Sequence, residues 1–427
     1  MKKLLTSLLV AAALLCGCTK SDPTLFQAGL FELHPPPTYP VIEGSVSNTE
    51  AAALAFLDAG VTQLPVTPAP DVLKVADAVA KYALNCVVRE DDPSTALALT
   101  LGASMFGRRA ALVLTDRQFA QIAGELGESA LLEWQGNVVI LVLADRNARN
   151  SSVVLRMEPI INATQLPNIV SSGKRLYGDI IDGFQTSDYH KLPFIILLDA
   201  DLLDQPTLYD RTKMIAPRPS FERNMSANVL SPALAGYQRR RLVARQGGDA
   251  SIVRPLGAVD IREVLPERFE GRFGFYAPAM AVMATMRNEL PFVAGEGDAL
   301  GFFAFPPFEI VDAVAFPGSA IPLAQRAAES GYLPAWAVMD DGAFFAHGLA
   351  GIAAARNGGV PVNILVFNTF IDSDPILFEA LLGAFGDNVT RINASAPTDE
   401  LKTALRAAGA SADIEIVVVD YVSDEEE

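Results

Sequence analysis

The sequence predicts an α/β protein built from two parallel sheets. Runs of aliphatic residues alternate with helical segments twice along the chain, and the runs, such as AALVLTD and NVVILVLAD, are apolar throughout. Continuous apolar runs are typical of strands that helices bury on both faces. With 427 residues, 50% of them hydrophobic, the chain is long enough for two such domains.

The first α/β domain is predicted over residues 45–204. Asn48 is expected to cap a helix that ends at Gly60, and Asp71 is expected to open a second helix with apolar residues at helical spacing. The strands are expected at LNCVV, AALVLTD, NVVILVLAD and PFIILLDAD.

The alternation stops over residues 205–272, which are interpreted as a crossing segment with scattered prolines. Its basic run QRRRLVARQ, at 238–246, is expected to form an exposed charged helix face rather than a binding patch. A second α/β domain is predicted over residues 273–422, with strands at PFVAGEGD, AVAFPG, PAWAVMD, VNILVFN and IEIVVVD. Residues 423–427 are expected to form a solvated acidic tail.

Residues 1–18 predict a lipoprotein signal peptide. Two lysines precede an apolar run that is too short to span a bilayer, and the ending Leu-Cys-Gly-Cys resembles the lipobox of bacterial lipoproteins. The resemblance implies cleavage and acylation at Cys18, whereas Cys16 fits less well because Leu15 before it is not small. The alternatives are an uncleaved membrane anchor or a chance apolar start.

Residues 19–44 are rich in proline and are expected to form a tether, so that the lipid is the only contact with the membrane. We therefore expect an exported bacterial lipoprotein of the cell envelope. Thr19 stands where an aspartate would follow Cys18 in some sorting signals, and by that resemblance it favours the outer membrane, facing the periplasm.

Charge and cysteine content exclude several classes of function. Loss of Lys2 and Lys3 with the signal would change the formal charge from −17 to −19, so nucleic acid and anionic headgroups are not expected as partners. Beyond the lipobox only Cys86 remains. We expect no internal disulfide, no iron–sulfur cluster and no thiolate zinc site.

Two predicted strands end in polar side chains that favour a metal site. PAWAVMD ends at Asp340 and VNILVFN ends at Asn368, with a helix between them. In such a β–α–β unit both ends lie at the carboxyl edge of a parallel sheet, so Asp341 and Asn368 should be within reach of each other. Their oxygens suit Mg²⁺ that also holds water and a diphosphate, and the turn at Gly348 could offer backbone N–H groups to those phosphates. The alternative is an ordinary strand end and turn.

Asp340-Asp341-Gly342, with Asn368 following Asp341 by 27 residues, is similar to the Gly-Asp-Gly…Asn motif of thiamine diphosphate enzymes, with Asp340 in the place of the first glycine. Longer segments, including AVAFPGSAI around Gly318 and AVMDDGAFFAHGLAGIAAARNGG, resemble the alpha subunit of indolepyruvate ferredoxin oxidoreductase. SNTEAAALAFLDAGV, LPVTPAPDV and TALALTLGASMFGRRAALVLTD resemble its pyrimidine domain.

That resemblance covers roughly residues 42–375. It implies a pyrimidine-type first domain, a diphosphate-type second domain, and thiamine diphosphate with Mg²⁺ as cofactors. The cofactor-binding residues it implies are Gly318, Asp341, Gly342 and Asn368, of which Asp341 and Asn368 would hold the metal. It also implies a homodimer and a small 2-oxo acid or diphosphate ligand.

The chain departs from that family at its catalytic positions. Pro93 stands where the family has the glutamate that contacts the pyrimidine ring, and Glu90 or its acidic neighbours could replace it only if the loop is shifted. Otherwise Glu90, Asp91 and Asp92 are exposed loop acids. His347 follows the position of a family histidine by one residue, so it is either a displaced acid–base group or a polar helix cap.

Three hypotheses about function remain. YAPAM, at 276–280, replaces the family's Cys-Pro-Gly-Cys-Pro-His motif, and no cysteines are present to ligate clusters. The first hypothesis is a lipoprotein that keeps a Mg–diphosphate site but has lost the 2-oxo acid:ferredoxin oxidoreductase machinery. The second is an active thiamine diphosphate-dependent lyase or oxidoreductase acting on a 2-oxo acid, and the third is a cofactor-free pseudoenzyme that serves as a binding or structural module.

Overall fold

The structure is a computed structural model that describes residues 44–215, 220–297, 299–369 and 374–421. The expected signal peptide at 1–18, with Cys18, lies outside the described residues. So do the acidic tail and all of the tether except its last residue. No helix among the described residues is long and apolar enough to cross a membrane.

Two six-stranded sheets, each entirely parallel, form the centre of the two domains. The strands are β1 (Ser45–Ser47), β2 (Leu64–Val66), β3 (Val87–Arg89), β4 (Ala110–Thr115), β5 (Val138–Ala144), β6 (Asn168–Ser171), β7 (Phe194–Asp199), β8 (Pro206–Leu208), β9 (Phe292–Gly295), β10 (Ala313–Val314), β11 (Ala335–Asp340), β12 (Asn363–Asn368), β13 (Val389–Asn393) and β14 (Glu415–Asp420). The prediction of two parallel-sheet domains is confirmed.

The two sheets share one topology. The first has the order β3-β2-β4-β5-β7-β6, and the second has the order β10-β9-β11-β12-β14-β13. In the first sheet β3 lies on one side of β2 and β4 lies on the other. In the second sheet β10 lies on one side of β9 and β11 lies on the other. Ligands of such sheets bind at the crevice where the chain changes direction, which is between β2 and β4 and between β9 and β11.

Helices cover both faces of the sheets. They are α1 (Asn48–Ala59), α2 (Pro70–Ala80), α3 (Pro93–Met105), α4 (Asp116–Gln121), α5 (Ala123–Ser129), α6 (Met157–Ala163), α7 (Leu176–His190), α8 (Met225–Asn228), α9 (Ala235–Arg245), α10 (Ile261–Val264), α11 (Glu267–Thr285), α12 (Ala320–Glu329), α13 (Asp341–Ala343), α14 (Leu349–Gly358), α15 (Pro375–Gly383) and α16 (Thr398–Ala410). One buried apolar cluster continues from the first sheet into the second through α3 and α12, which pack against each other.

Several local predictions require correction. The cap of α1 is Ser47, whose Oγ accepts the Glu50 N–H, while the Asn48 amide donates to Leu202 O. Helix α2 begins at Pro70 rather than Asp71. In LNCVV only the last two residues enter β3, because LNC forms a 3-10 turn.

The crossing segment contains helices α8, α9 and α10, and α11 extends across its expected end at residue 272. The basic run in α9 is not simply an exposed charged face. Leu242 is buried, and the Arg245 guanidinium donates to Leu132 O at 2.6 Å and to Ala130 O at 2.8 Å, so this helix packs on the first domain.

Gly348 is not in a turn. It ends a π-helical segment, Phe344–Gly348, that joins α13 to α14 without interruption. The expected N–H groups of a turn at Gly348 are thus inside a continuous helical run, whose N-terminus is at Asp341.

Candidate functional site

The polar residues of the second sheet gather at the carboxyl edge of β9, β11 and β12. Asp341 follows β11 directly and is fully buried. Its Oδ1 accepts a hydrogen bond from the Thr369 hydroxyl at 3.1 Å, and Thr369 is the residue that follows Asn368 at the end of β12. The expected proximity of Asp341 and Asn368 is therefore found.

Asn368 presents a buried oxygen without a partner. Its Nδ2 donates to Asp420 Oδ1 at 2.6 Å, at the end of the adjacent strand β14. Its Oδ1 is buried and has no hydrogen-bond partner among the described residues. Because an unpaired buried carbonyl oxygen costs about 1–3 kcal/mol, this atom is well suited to coordinate a cation.

The donor set fits a magnesium ion better than a transition metal. No group of three or more His, Cys, Asp or Glu side chains within the described ranges could hold a metal by itself. One carboxylate from Asp341 and one amide oxygen from Asn368 leave the remaining positions to water and ligand oxygens, which is how Mg²⁺ is commonly bound. Gly342 lies in the same first helical turn as Asp341.

Asp340 caps the helical run that begins at Asp341. Its Oδ1 accepts the Ala343 N–H at 2.8 Å, and the Tyr276 hydroxyl lies 3.5 Å from its Oδ2. Tyr276 is buried and stacks on Phe367 of β12, with ring centroids 4.4 Å apart. The YAPAM segment thus places an aromatic side chain at the crevice, within α11.

A second carboxylate follows β9. The Glu296 side chain accepts the Gly318 N–H at 2.9 Å and lies 2.7 Å from Nδ1 of His347. Gly318 has a positive φ of 83°, a conformation that glycine adopts without strain, and the Cβ of any other residue there would lie 3.6 Å from the His347 ring. Gly318 and His347 are therefore neighbours that Glu296 joins.

The hydrogen bond that the His347 ring donates to Glu296 raises the pKa of His347 above its ordinary value, against a lowering effect of burial. The negative charges of Glu296, Glu125 and Asp92 raise it further. Glu125 and Asp92 belong to the first domain, so charges from both domains act on the His347 imidazole. Its contact with Glu296 suits a proton-carrying group, and it does not cap α14, which continues the helical run.

Glu90 is buried, not exposed. It follows β3, its Oε1 has no hydrogen-bond partner among the described residues, and burial raises its pKa to about 7, partly offset by the Arg326 guanidinium. The alternative of three exposed loop acids is wrong for Glu90, although Asp91 is exposed. Asp92 caps α3 by accepting the Thr95 N–H at 2.8 Å.

A diphosphate fits this edge less simply than a metal does. Helix N-termini favour anions, and two of them, those of α12 and α13, begin near the crevice. Both already have a carboxylate of the chain: Glu296 accepts from Gly318 ahead of α12, and Asp340 accepts from Ala343 of α13. The oxygen ligands for a metal are present, whereas the N–H groups that would bind a diphosphate already donate to Glu296 and Asp340.

Sequence reasoning missed Glu296, Tyr276 and Asp420. The rule that located Asp341 and Asn368, which selects polar residues at strand ends, applies equally to Glu296 after β9 and Asp420 in β14. Tyr276 carried no such signal because it lies inside α11, remote in sequence from the strand ends.

Comparisons with known proteins support the fold. No family model matches the sequence, and no curated protein matches it. Among solved structures, the chain is similar to the thiamine diphosphate-dependent 4-hydroxybenzoylformate decarboxylase of Rhodococcus jostii RHA1, with a TM-score of 0.61 and 13% identity over 89% of this chain and 100% of that one. The chain therefore has the two-domain thiamine diphosphate-binding fold that its sequence predicts.

Proposed function

We propose that this protein binds a magnesium–diphosphate ligand, thiamine diphosphate foremost, at the carboxyl edge of its second sheet. The observation that carries the proposal is the buried Oδ1 of Asn368, which has no hydrogen-bond partner among the described residues and lies beside the buried carboxylate of Asp341. Two hard oxygens at the carboxyl ends of the neighbouring parallel strands β11 and β12 supply two of the six ligands of an octahedral magnesium site.

In this proposal Asp341 and Asn368 hold the metal, and Thr369 and Asp420 orient them. The Thr369 hydroxyl donates to Asp341 Oδ1, and Asp420 accepts from the Asn368 amide nitrogen. Partners of this kind fix the direction of the ligand atoms. In the same proposal Gly318 lies beside His347 ahead of α12, and Gly342 lies in the first turn of α13.

The finer proposal is descent from the alpha subunit of indolepyruvate ferredoxin oxidoreductase, with loss of its electron-transfer machinery. The sequence has three cysteines, two of which are in the lipobox. The third, Cys86, is buried, and burial raises its pKa to about 12. A buried, protonated thiol is a poor ligand for a cluster.

Glu90 favours a second candidate function, a lyase or decarboxylase acting on a 2-oxo acid. When bound, thiamine diphosphate supplies the nucleophilic carbon that adds to a keto group. The chain would have to supply a carboxyl group near the cofactor ring, and Glu90 is the candidate. It is buried, its pKa is raised to about 7, and the charge of Arg326 on the second domain acts on it. A carboxyl group with a pKa near 7 can both donate and accept a proton near pH 7.

We also propose that the protein is exported and acylated at Cys18, since the lipobox and the proline-rich tether are features of the sequence. Mass spectrometry of the protein from a bacterial membrane fraction would show an acylated N-terminal cysteine. Cys18→Ser should release the protein from that fraction, whereas Cys16→Ser should not. Retention of Cys18→Ser in the membrane would contradict lipidation at this residue.

Thermal unfolding tests the binding proposal. A ligand that binds only the folded state raises Tm, so Mg²⁺ and thiamine diphosphate together should raise it more than either alone. Asp341→Asn should lose the joint effect. Asp413→Asn, which removes an exposed carboxylate before the amino end of β14, should keep it. No joint effect in the wild-type protein would leave the cofactor-free pseudoenzyme as the better account.

A further inference from the structure

The carboxylate of Glu296 lies where an anionic ligand of α12 would bind. It accepts the Gly318 N–H at 2.9 Å with Oε1, and Oε2 lies at the longer distance of 3.5 Å from the Ala320 nitrogen. Ala320 is the first residue of α12, a helix of ten residues. The first N–H groups of a helix have no partner within it and attract phosphate groups. Here the chain itself supplies the anion.

Glu296 is held firmly in this position. Its side chain is 4% exposed, and its Oε1 also lies 2.7 Å from Nδ1 of His347. The positive φ of Gly318 directs that N–H group towards Glu296 by a backbone conformation that glycine adopts readily. The contact therefore joins three segments, after β9, before α12 and in the π-helical segment, that are distant in sequence.

A second observation points to a ligand at this edge of the sheet. The Asn368 Oδ1 is fully buried and has no partner among the described residues, next to Asp341. This edge thus offers a cation two oxygens, while Glu296 closes the N-terminus of α12 and Asp340 caps that of α13. A site of this composition accepts a metal more readily than a free diphosphate, because Glu296, Asp340 and Asp341 repel an uncompensated anion.

We propose that Glu296 is a resident anion that a phosphate group must displace from Gly318 and Ala320 before a magnesium–diphosphate ligand can bind. The inference rests on the proposed function. On displacement, the carboxylate gives up the two backbone N–H groups and retains His347 as its partner. The ligand class is a diphosphate whose charge is compensated by Mg²⁺, and Glu296 keeps its affinity low.

Equilibrium dialysis of thiamine diphosphate in the presence of Mg²⁺ tests this inference. Glu296→Ala frees the N–H groups and should lower the dissociation constant by about tenfold, the equivalent of one charge-assisted hydrogen bond. The matched control is Glu125→Gln, which removes a neighbouring negative charge that acts on His347 but frees no backbone N–H. Its dissociation constant should stay within about threefold of the wild type.

The outcomes separate the two proposals. Tighter binding in Glu296→Ala, with little change in Glu125→Gln, supports the resident anion. Wild-type affinity or weaker binding in Glu296→Ala overturns it and leaves the proposed function intact, and an equal gain in Glu125→Gln overturns it in favour of a simple charge effect. Absence of binding in every folded variant overturns the proposed function. If Glu296→Ala does not fold, Glu296→Gln keeps the side-chain size, and its neutral acceptor should still give a several-fold gain.

Discussion

The Asn368 amide is oriented by Asp420, because its Nδ2 donates to Asp420 Oδ1 over 2.6 Å. The opposite orientation would place the amide oxygen against that carboxylate, where two acceptors repel each other. The Oδ1 of Asn368 is therefore directed away from Asp420 and is available to a cation. Asp420 in turn pairs with the Arg391 guanidinium at 2.7 Å.

Asp420→Ala should weaken magnesium-dependent binding of thiamine diphosphate by about tenfold, because the amide loses the acceptor that fixes its orientation. Titration calorimetry of the variant measures this change. Arg391→Ala is the control: it removes the guanidinium from Asp420 but leaves the acceptor for Asn368, so binding should be nearly unchanged. Equal losses in the two variants would show that Asp420 acts through the stability of the sheet edge.

Glu90 predicts a pH-dependent stability. Burial raises its pKa from 4.5 to about 7 in the folded protein, so between these values the folded state binds more protons than the unfolded state. The contribution of Glu90 to the free energy of unfolding therefore falls as pH rises from about 4.5 to about 7. Glu90→Gln removes this penalty and should be more stable than the wild type by about 3 kcal/mol at pH 8, with little difference at pH 4.

Urea unfolding of both proteins across this pH range measures the difference. A difference in the free energy of unfolding that grows with pH supports a buried Glu90 carboxyl group with a raised pKa. A difference in the free energy of unfolding that is the same at pH 4 and pH 8 would contradict the raised pKa of Glu90.

Arg326 joins the two domains. Its side chain is 1% exposed, its Nε donates to Leu99 O at 3.0 Å, and it also contacts Gln63, both in the first domain, while Nη1 pairs with Glu329 at 2.5 Å. Arg326→Ala should lower the free energy of unfolding by about 3 kcal/mol, because it removes a buried guanidinium that donates to Leu99 O and to Glu329, and leaves Glu329 with the Gln325 amide as a donor.

The matched control is Arg406→Ala, which breaks an exposed arginine–glutamate pair with Glu289 and should cost far less. Chemical denaturation compares the two variants. Equal losses would mean that the buried contacts of Arg326 contribute no more to stability than an exposed ion pair does.

Glu296 should also control the protonation of His347. The hydrogen bond and the charge of Glu296 both raise the pKa of His347, while Glu125 contributes through its charge alone. Glu296→Gln is therefore expected to lower that pKa more than Glu125→Gln does. An NMR titration of the His347 imidazole measures both changes, and an unchanged pKa in Glu296→Gln would contradict the contact.

The architecture was predictable because strands such as β5 are buried along their whole length and are bounded by polar residues. Two of the edge strands, β6 and β13, were not. Three of the four residues of β6 are exposed, and β13, VTRIN, has only one buried residue, so neither forms a continuous apolar run. The short strand β2 was missed because its sequence, LPV, contains a proline.

The two proposed metal ligands were predictable from strand ends, whereas the contacts that hold the site together were not. Asp341 and Asn368 follow from one local rule applied to two neighbouring strands. The contact of Glu296 with His347 joins residues 51 positions apart, and no spacing rule indicates it. Glu90 was recognised as a candidate, but its burial depends on packing between the domains, which a single sequence does not reveal.

The most direct test of the account is isothermal titration of the protein and of Asp341→Ala with thiamine diphosphate, with and without Mg²⁺. We expect saturable binding by the wild-type protein only when Mg²⁺ is present, and loss of that binding in Asp341→Ala. Binding that needs no Mg²⁺ or persists in Asp341→Ala would contradict the assignment of the metal site. Absence of binding by the wild-type protein would contradict the proposed function as a whole.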